Sequence, residues 1–132
     1  MAIDRTSPIL IVDDYSRMLR IIRNLLRQLG YAQVEEAADG ASALEKLRQK
    51  PFALVISDWN MEPMSGLELL RAVRADPALA DLPFIMITAE ARAAKIAEAQ
   101  RAGVSGYIIK PFGAEALSLK IAAIAGESAS PA

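Results

Sequence analysis

The sequence contains no cysteine and no histidine among its 132 residues. These two absences exclude disulfides, thiol catalysis, zinc fingers and every mechanism that uses histidine as a base or as a metal ligand. A metal ion bound to this chain would therefore be a hard cation held by oxygen atoms. Any chemistry must come from carboxylates, hydroxyls and amines.

Aromatic residues, net charge and long apolar runs are also scarce. The chain is 5% aromatic, its formal net charge is −1, and no apolar run approaches the ~18 residues of a membrane span. The first residues are too few and too acidic for a signal peptide. A near-neutral chain has no basic field to attract nucleic acid or acidic membranes. We expect a cytoplasmic protein that binds neither, with 53% hydrophobic residues building one core.

Five apolar runs alternate with five segments of helical periodicity. The runs predict strands at residues 9–12, 33–37, 53–57, 83–88 and 106–110, and the periodic segments predict helices at 16–29, 41–50, 66–75, 91–101 and 114–125. We expect Ser16 to cap the first helix and Ser65 with Glu68 to form a capping box. The alternation predicts a doubly wound parallel sheet with helices on both faces. Residues 1–125 form this domain, and residues 126–132 are expected to be a flexible tail.

Polar side chains stand at four of the predicted strand ends. Asp13 and Asp14 follow the first strand, Asp58 the third, Thr88 ends the fourth and Lys110 the fifth. Each residue alone is a common cap, turn or surface residue. Because the carboxyl ends of parallel strands meet at one edge, however, all five are expected to share one pocket.

Phosphoryl transfer onto a carboxylate requires such a set. A strand end holds a nucleophilic carboxylate rigid and exposed, which suits Asp58. The adjacent Asp13 and Asp14 suit Mg²⁺, and the Lys110 ammonium can neutralise phosphoryl oxygens. The hydroxyl of Thr88 can donate a hydrogen bond to one of those oxygens. We therefore expect Asp58 to be phosphorylated.

The motifs ILIVDD, EEAADG, VISDWNMEPMSG, MITAE and GYIIKPF, with their spacing, resemble those of bacterial response-regulator receiver domains. The resemblance covers residues 9–124, and SDWNM is similar to the single-domain chemotaxis branch. It implies a flavodoxin-like fold with strand order 2-1-3-4-5, an order for which a chemotaxis receiver is a standard example. It also implies a cis bond between Lys110 and Pro111.

For the site, the resemblance implies that Asp58 accepts phosphate from the phosphohistidine of a sensor kinase or phosphotransfer domain. Mg²⁺ would be held by Asp13, Asp14, Asp58 and the backbone carbonyl of Asn60.

For signalling, the resemblance implies that Thr88 and Tyr107 form the switch pair and that Asn60 and Glu90 tune self-dephosphorylation. It implies a monomer that is not a conventional enzyme, whose partners are a kinase, a flagellar motor switch protein and a phosphatase.

Three features depart from the family or extend it. Pro63 lies one position later than the usual proline, so the loop over the metal site is expected to follow another path. The last helix is rich in alanine, where motor-binding members present more lysine. Four arginines on the first helix (Arg17, Arg20, Arg23 and Arg27) are either a solvated face or a docking surface for an acidic partner.

Trp59 is expected to be a partly exposed loop residue.

Three other functions fit parts of the pattern. An aspartate-nucleophile phosphatase would carry its nucleophile after the first strand, not the third. A flavin-binding module would need a hydroxyl-rich loop where this chain has DDYSR. A receiver that serves as a phosphate sink, or controls a non-motor target, shares every residue of the site.

Overall fold

The computed structural model describes residues 3–129, and the side chains of residues 3–124. Strands and helices alternate in the order β1 (Ile9–Val12), α1 (Ser16–Gln28), β2 (Val34–Ala37), α2 (Gly40–Gln49), β3 (Leu54–Asp58), α3 (Gly66–Ala75), β4 (Phe84–Thr88), α4 (Ala93–Arg101), β5 (Gly106–Ile109) and α5 (Ala114–Ala129). The five strands are parallel, in the order β2-β1-β3-β4-β5. The doubly wound fold and its strand order are confirmed.

Alternate strand residues face opposite layers of the core. In β1, Ile9 and Ile11 pack with α1 and α5, whereas Leu10 and Val12 pack with the other layer, which α2, α3 and α4 cover. The central strands β1, β3 and β4 are buried along their whole length. The more polar β2 lies at one edge of the sheet, as its glutamates predict.

The predicted capping residues are right for α3 and wrong for α1. Ser65 and Glu68 form the expected capping box. In α1 the N-cap is Tyr15, and Ser16 is already helical. The reason lies just before the helix, because the side chain of Asp13 accepts a hydrogen bond from the Tyr15 backbone N–H at 2.9 Å and turns the chain at that point.

Two helix boundaries differ from the sequence prediction by more than one residue. Helix α4 begins at Ala93 rather than Ala91, because Arg92 serves as its extended N-cap. Helix α5 continues to Ala129, four residues beyond the predicted end. Residues 130–132 of the expected tail lie outside the described residues, so the tail over 126–132 stays a prediction. Among the described helices, none combines the length and the apolar character that a membrane crossing requires.

Candidate functional site

The strand register brings the predicted site residues to one edge of the sheet. Val12 pairs with Ser57, so Asp13 and Asp58 lie next to each other just past this pair. Asp58 pairs with Ile87, and Thr88 follows directly. Lys110 comes one residue after the strand, and its backbone N–H donates to the carbonyl of Thr88 at 2.8 Å. The Lys110–Pro111 bond is cis, as the family resemblance implies, and the Glu62–Pro63 bond is cis as well.

Asp58 is held tightly at the end of β3. Its exposed fraction is 3%, and Lys110 Nζ lies 2.7 Å from its Oδ1. The angles of this ion pair are not those of a hydrogen bond, which leaves Oδ1 without a hydrogen-bond partner among the described residues. The backbone is fixed from below, since the Ser57 hydroxyl donates to the Asp58 carbonyl at 2.9 Å. The Asp58 carboxylate is thus fixed in position, while its Oδ1 can still accept a hydrogen bond.

Gly66 supports this arrangement, and sequence reasoning missed it. A Cβ at Gly66 would lie 2.2 Å from the Asp58 carbonyl oxygen and 2.9 Å from Trp59 Cα. The Gly66 N–H donates to the Trp59 carbonyl at 2.8 Å. Helix α3 therefore begins in contact with the backbone of the candidate phosphate acceptor, and only glycine fits there. The sequence signal was the glycine directly after the capping serine.

Asp13 is a buried carboxylate with an unused oxygen. Its exposed fraction is 2%, and Oδ2 has no hydrogen-bond partner in the described part of the chain. Burial raises the pKa of Asp13 to about 6, and the negative charges of Asp58 and Asp14 act in the same direction against the Tyr15 hydrogen bond and the Lys110 charge. A buried carboxylate without a partner is costly unless a cation completes it.

This donor set fits a magnesium ion better than a closed metal cage. Asp13 and Asp58 are buried side by side, whereas Asp14 is exposed. Within residues 3–124, no three acidic side chains form a ready-made cage. Mg²⁺ commonly takes one or two carboxylates and keeps several waters. The orphaned oxygen of Asp13 is the observation that supports such an ion here.

Thr88, Glu90 and Tyr107 form a hydrogen-bonded chain beside Asp58. The Glu90 backbone N–H donates to Thr88 Oγ1 at 3.0 Å, and the Tyr107 hydroxyl donates to the Glu90 carbonyl at 2.9 Å. Burial, with a contribution from the Glu90 charge, raises the pKa of Tyr107. Because Thr88 Oγ1 accepts from the backbone, its own proton is left to donate elsewhere. The two expected switch residues are therefore linked through Glu90.

Trp59 is buried, contrary to the expectation of a partly exposed loop residue. Its exposed fraction is 8%, because its N–H continues the ladder to the Ile87 carbonyl at 3.0 Å. Its ring meets that of Tyr107 edge to face with centroids 6.3 Å apart. Lys95 Nζ lies 5.6 Å from the ring centroid on the solvent side. Trp59 thus connects the end of β3, where Asp58 lies, with Tyr107 and with Lys95 of α4.

A cleft of about 400 Å³ opens next to this tryptophan. It is lined by Trp59, Asn60, Ala89, Glu90, Arg92 and Lys95. The carboxylate of Glu90 is paired with Arg92, whose Nε lies 2.7 Å from Oε1. Hydrogen bonds from Arg92 lower the pKa of Glu90 to about 2. Asn60 and Glu90, which the resemblance singles out, both line this cleft, whereas sequence analysis missed Arg92, which no motif marks.

A search of protein families matches residues 9–122 to the response regulator receiver domain. The chain belongs to this family. The family assignment removes the aspartate-nucleophile phosphatase and the flavin module from consideration. The chain is also similar to the chemotaxis protein CheY of Pseudomonas aeruginosa, with 55% identity over 113 residues, or 86% of this chain and 91% of the relative.

Other relatives of this receiver agree in sequence and in fold. Identity to the chemotaxis protein CheY-3 of Vibrio cholerae is 50% over 90% of this chain and 92% of the relative. The structure of CheY4 from the same species superposes with a TM-score of 0.84 at 34% identity, covering 90% of this chain and 98% of that one. The receiver domain of a Pseudomonas aeruginosa sensor histidine kinase, with magnesium coordinated in its active-site cleft, gives 0.83 at 27% identity, covering 92% and 98%. Chemotaxis-type receivers are thus among the relatives of this chain.

Proposed function

We propose that this receiver takes a phosphoryl group from the phosphohistidine of a sensor kinase or phosphotransfer domain onto Asp58, within a chemotaxis pathway in the cytoplasm. The observation that carries the proposal is the buried Asp58 carboxylate, 2.7 Å from the Lys110 ammonium and next to the unpartnered oxygen of Asp13. A structural ion pair would not require a second buried carboxylate at the same place. A phosphate-accepting site does.

The transfer is a displacement at phosphorus. A carboxylate oxygen of Asp58 forms the new P–O bond while the P–N bond to the donor imidazole breaks, and the imidazole nitrogen leaves with the electron pair. Lys110 neutralises phosphoryl oxygens as charge builds on them. Thr88, whose hydroxyl oxygen already accepts from Glu90, orients its free proton for one of these oxygens. The same site then loses phosphate by attack of water, and the chain needs no further enzymatic activity.

Asp13, Asp14 and Asp58 would hold Mg²⁺, with the backbone carbonyl of Asn60 as a further ligand. When bound, the ion supplies positive charge to the transferring phosphoryl group. The fit rests on the orphaned Asp13 oxygen and on the oxygen-only donor set. The solved kinase receiver with magnesium in its cleft supports the same assignment by similarity.

The output is a change around Thr88 and Tyr107. Thr88 accepts a hydrogen bond from the Glu90 backbone N–H, so the Glu90 backbone moves when Thr88 turns its hydroxyl toward phosphate. Tyr107 then follows, because its hydroxyl donates to the Glu90 carbonyl. This reshapes the surface of α4, β5 and α5, where a motor switch protein would bind. Asn60 and Glu90 line the cleft that water must cross, so they are placed to set the phosphoryl lifetime.

Trp59 provides the test. Its fluorescence would be followed while Mg²⁺ and then acetyl phosphate are added, with Asp58→Asn as the control. We expect a metal-dependent change and then a slower donor-dependent change that the control lacks. Phosphorylation from a labelled histidine kinase should show the same dependence on Asp58. If neither addition changes the signal of the parent, the proposal fails.

A second candidate is a phosphate sink or a receiver with a non-motor target. The observation that favours it is the outer surface of β5 and α5, where Leu119 is 64% exposed and Ile109 is 36% exposed. A monomeric motor binder would present more charge there. Binding of the phosphorylated chain to a motor switch protein, measured by titration, separates the two, because a sink shows no phosphate-dependent affinity.

A further inference from the structure

We propose that Arg92 is a positioning residue: it clamps the Glu90 carboxylate at the rim of the cleft and thereby keeps the path to Asp58 passable for dianionic phosphodonors. The inference rests on the proposed phosphorylation of Asp58 and names a determinant of which donors reach it. Arg92 acts through Glu90 and touches neither Asp58 nor the phosphoryl group.

Three donors of one residue hold the same carboxylate. The Arg92 backbone N–H and Nε donate to Glu90 Oε1 at 2.9 and 2.7 Å. Nη2 donates to Oε2 at 2.9 Å. Both carboxylate oxygens are thus engaged, and the side chain of Glu90 is fixed in a single direction.

The clamp is local, which makes it persistent despite its exposure. An exposed ion pair usually contributes little, because ordering two long side chains costs entropy and water screens the charges. Here a single residue separates the partners, and one of the three donors is backbone that α4 already holds as its N-cap. Bidentate guanidinium–carboxylate contacts are also the most specific of the ion pairs.

The charges of the cleft explain why the clamp matters. The charged residues that line it are Glu90, Arg92 and Lys95. Lys95 already has a partner, since its Nζ lies 3.7 Å from Glu98. Arg92 is the one cation within salt-bridge distance of Glu90 among the described residues. Without Arg92, the Glu90 carboxylate would keep only the weaker compensation of the Lys95 charge, in a cleft that Trp59 and Asn60, the two residues after Asp58, also line.

The same residue is joined to the switch through its backbone. Glu90 N–H donates to Thr88 and its carbonyl accepts from Tyr107. Arg92→Ala removes the two guanidinium donors but leaves the N–H of residue 92 and both of these backbone bonds available. The effect of the Glu90 charge on the phosphodonor can therefore be separated from damage to the Thr88–Tyr107 pair. Phosphodonors of different charge make this separation, because only the charge effect depends on the donor.

The test compares two small phosphodonors at low ionic strength, with the rate read from Trp59 fluorescence. Acetyl phosphate is a dianion at neutral pH, whereas phosphoramidate carries one net negative charge. We expect Arg92→Ala to slow phosphorylation by acetyl phosphate about three- to tenfold, as a unit charge and a dianion at roughly 8 Å in a water-like dielectric imply. Phosphoramidate should be slowed less, and salt should abolish the difference.

Two variants make the result specific. Glu90→Gln combined with Arg92→Ala removes both charges and should raise the initial phosphorylation rate with acetyl phosphate above that of Arg92→Ala alone. Arg101→Ala removes an exposed cation from the far end of α4 and should leave both rates unchanged. Rescue by the double variant is a result that a merely structural role of Arg92 would not produce.

Two outcomes would overturn the inference. One is an Arg92→Ala rate equal to that of the parent with acetyl phosphate. The other is that Arg92→Ala slows phosphorylation equally with both donors and that the double variant is slowed to the same extent. In either case a normal response of the parent leaves the proposed function standing. A parent that responds to neither donor would remove the proposed function and, with it, this inference.

Discussion

At the amino end of the sheet, the loops before β3 and β4 enclose a groove of about 870 Å³, whereas the cleft beside Asp58 at the carboxyl end measures about 400 Å³. At the larger groove, Arg48 pairs with Asp76 at 3.2 Å, Lys50 contacts Glu35, and no buried side-chain oxygen or nitrogen lacks a hydrogen-bond partner among the described residues. Close to the smaller cleft, Asp13 and Asp58 are buried with oxygens that lack hydrogen bonds. The comparison teaches that buried oxygens without hydrogen bonds, and not cavity volume, distinguish the candidate site in this fold.

The sharpest contrast between the two ends should be in metal binding. Asp13→Asn is expected to weaken Mg²⁺ binding by about a hundredfold, because it removes a charged oxygen ligand. Asp81→Asn at the amino-end groove is the matched control and should leave affinity unchanged. Titration of Trp59 fluorescence with Mg²⁺ measures both. Equal affinities for the two variants would contradict the assignment of Asp13.

The same variant should behave oppositely in a stability assay without metal. The pKa of Asp13 is raised from 3.8 to about 6 in the folded chain. A raised carboxyl pKa means that ionisation of Asp13 destabilises the fold. The destabilisation is complete above about pH 6 and is absent below the pKa of the unfolded chain, 3.8. Asp13→Asn should therefore be about 2–3 kcal/mol more stable than the parent at neutral pH, with the difference vanishing toward about pH 4.

Urea unfolding in the presence of a chelator, repeated across this pH range, checks the stability prediction. Asp14→Asn is the control, because Asp14 is exposed and should change stability little. A parent and an Asp13→Asn variant of equal stability at neutral pH would show that the buried carboxylate carries no cost.

Gly66 tests how closely the backbone packs at the carboxyl end. Gly66→Ala should destabilise the fold by about 2 kcal/mol, since its Cβ would lie 2.2 Å from the Asp58 carbonyl oxygen. Gly113→Ala is the control, because a Cβ there meets nothing within 4 Å. Thermal unfolding of both variants gives the comparison. Similar melting temperatures would show that α3 can shift without cost.

Arg74 tests the amino end, where a cation is satisfied by the backbone. Its guanidinium donates to the carbonyls of Leu82 at 2.6 Å, Ala80 at 3.1 Å and Gly103 at 2.9 Å. Arg74→Met should cost about 1–2 kcal/mol by leaving these carbonyls unpaired. Arg71→Met, an exposed residue of the same helix, should cost less. Neither should alter Mg²⁺ affinity, and a change in affinity would show that the two ends are coupled.

The smallest effect is expected at the rim of the larger groove. Arg48→Ala removes an exposed ion pair with Asp76 and should change stability by less than about 0.5 kcal/mol. Phosphorylation rates should not change either. A double-mutant cycle of Arg48 and Asp76 by urea unfolding measures the coupling. A coupling energy well above this value would mean that the amino-end groove is more than a packing defect between loops.

Much of the site was predictable because strand ends in a parallel sheet have a fixed destination. Once five strands were identified, Asp13, Asp58, Thr88 and Lys110 had to meet at one edge, and they do. Arg92 could not be predicted, because its clamp depends on the path of a short loop rather than on a repeating pattern. The burial of Trp59 was missed for the same reason, since its N–H extends the ladder one residue past β3.

The sequence by itself determined the order of elements, the parallel sheet and the residues at its carboxyl edge, because apolar periodicity and strand direction follow from local chemistry. The tertiary structure alone decided which of these residues lack partners. Asp13 and Asp14 are adjacent in sequence, yet one is buried with an unused oxygen and the other is exposed. Burial and hydrogen-bond satisfaction depend on the neighbours that distant segments supply, and no local pattern specifies those.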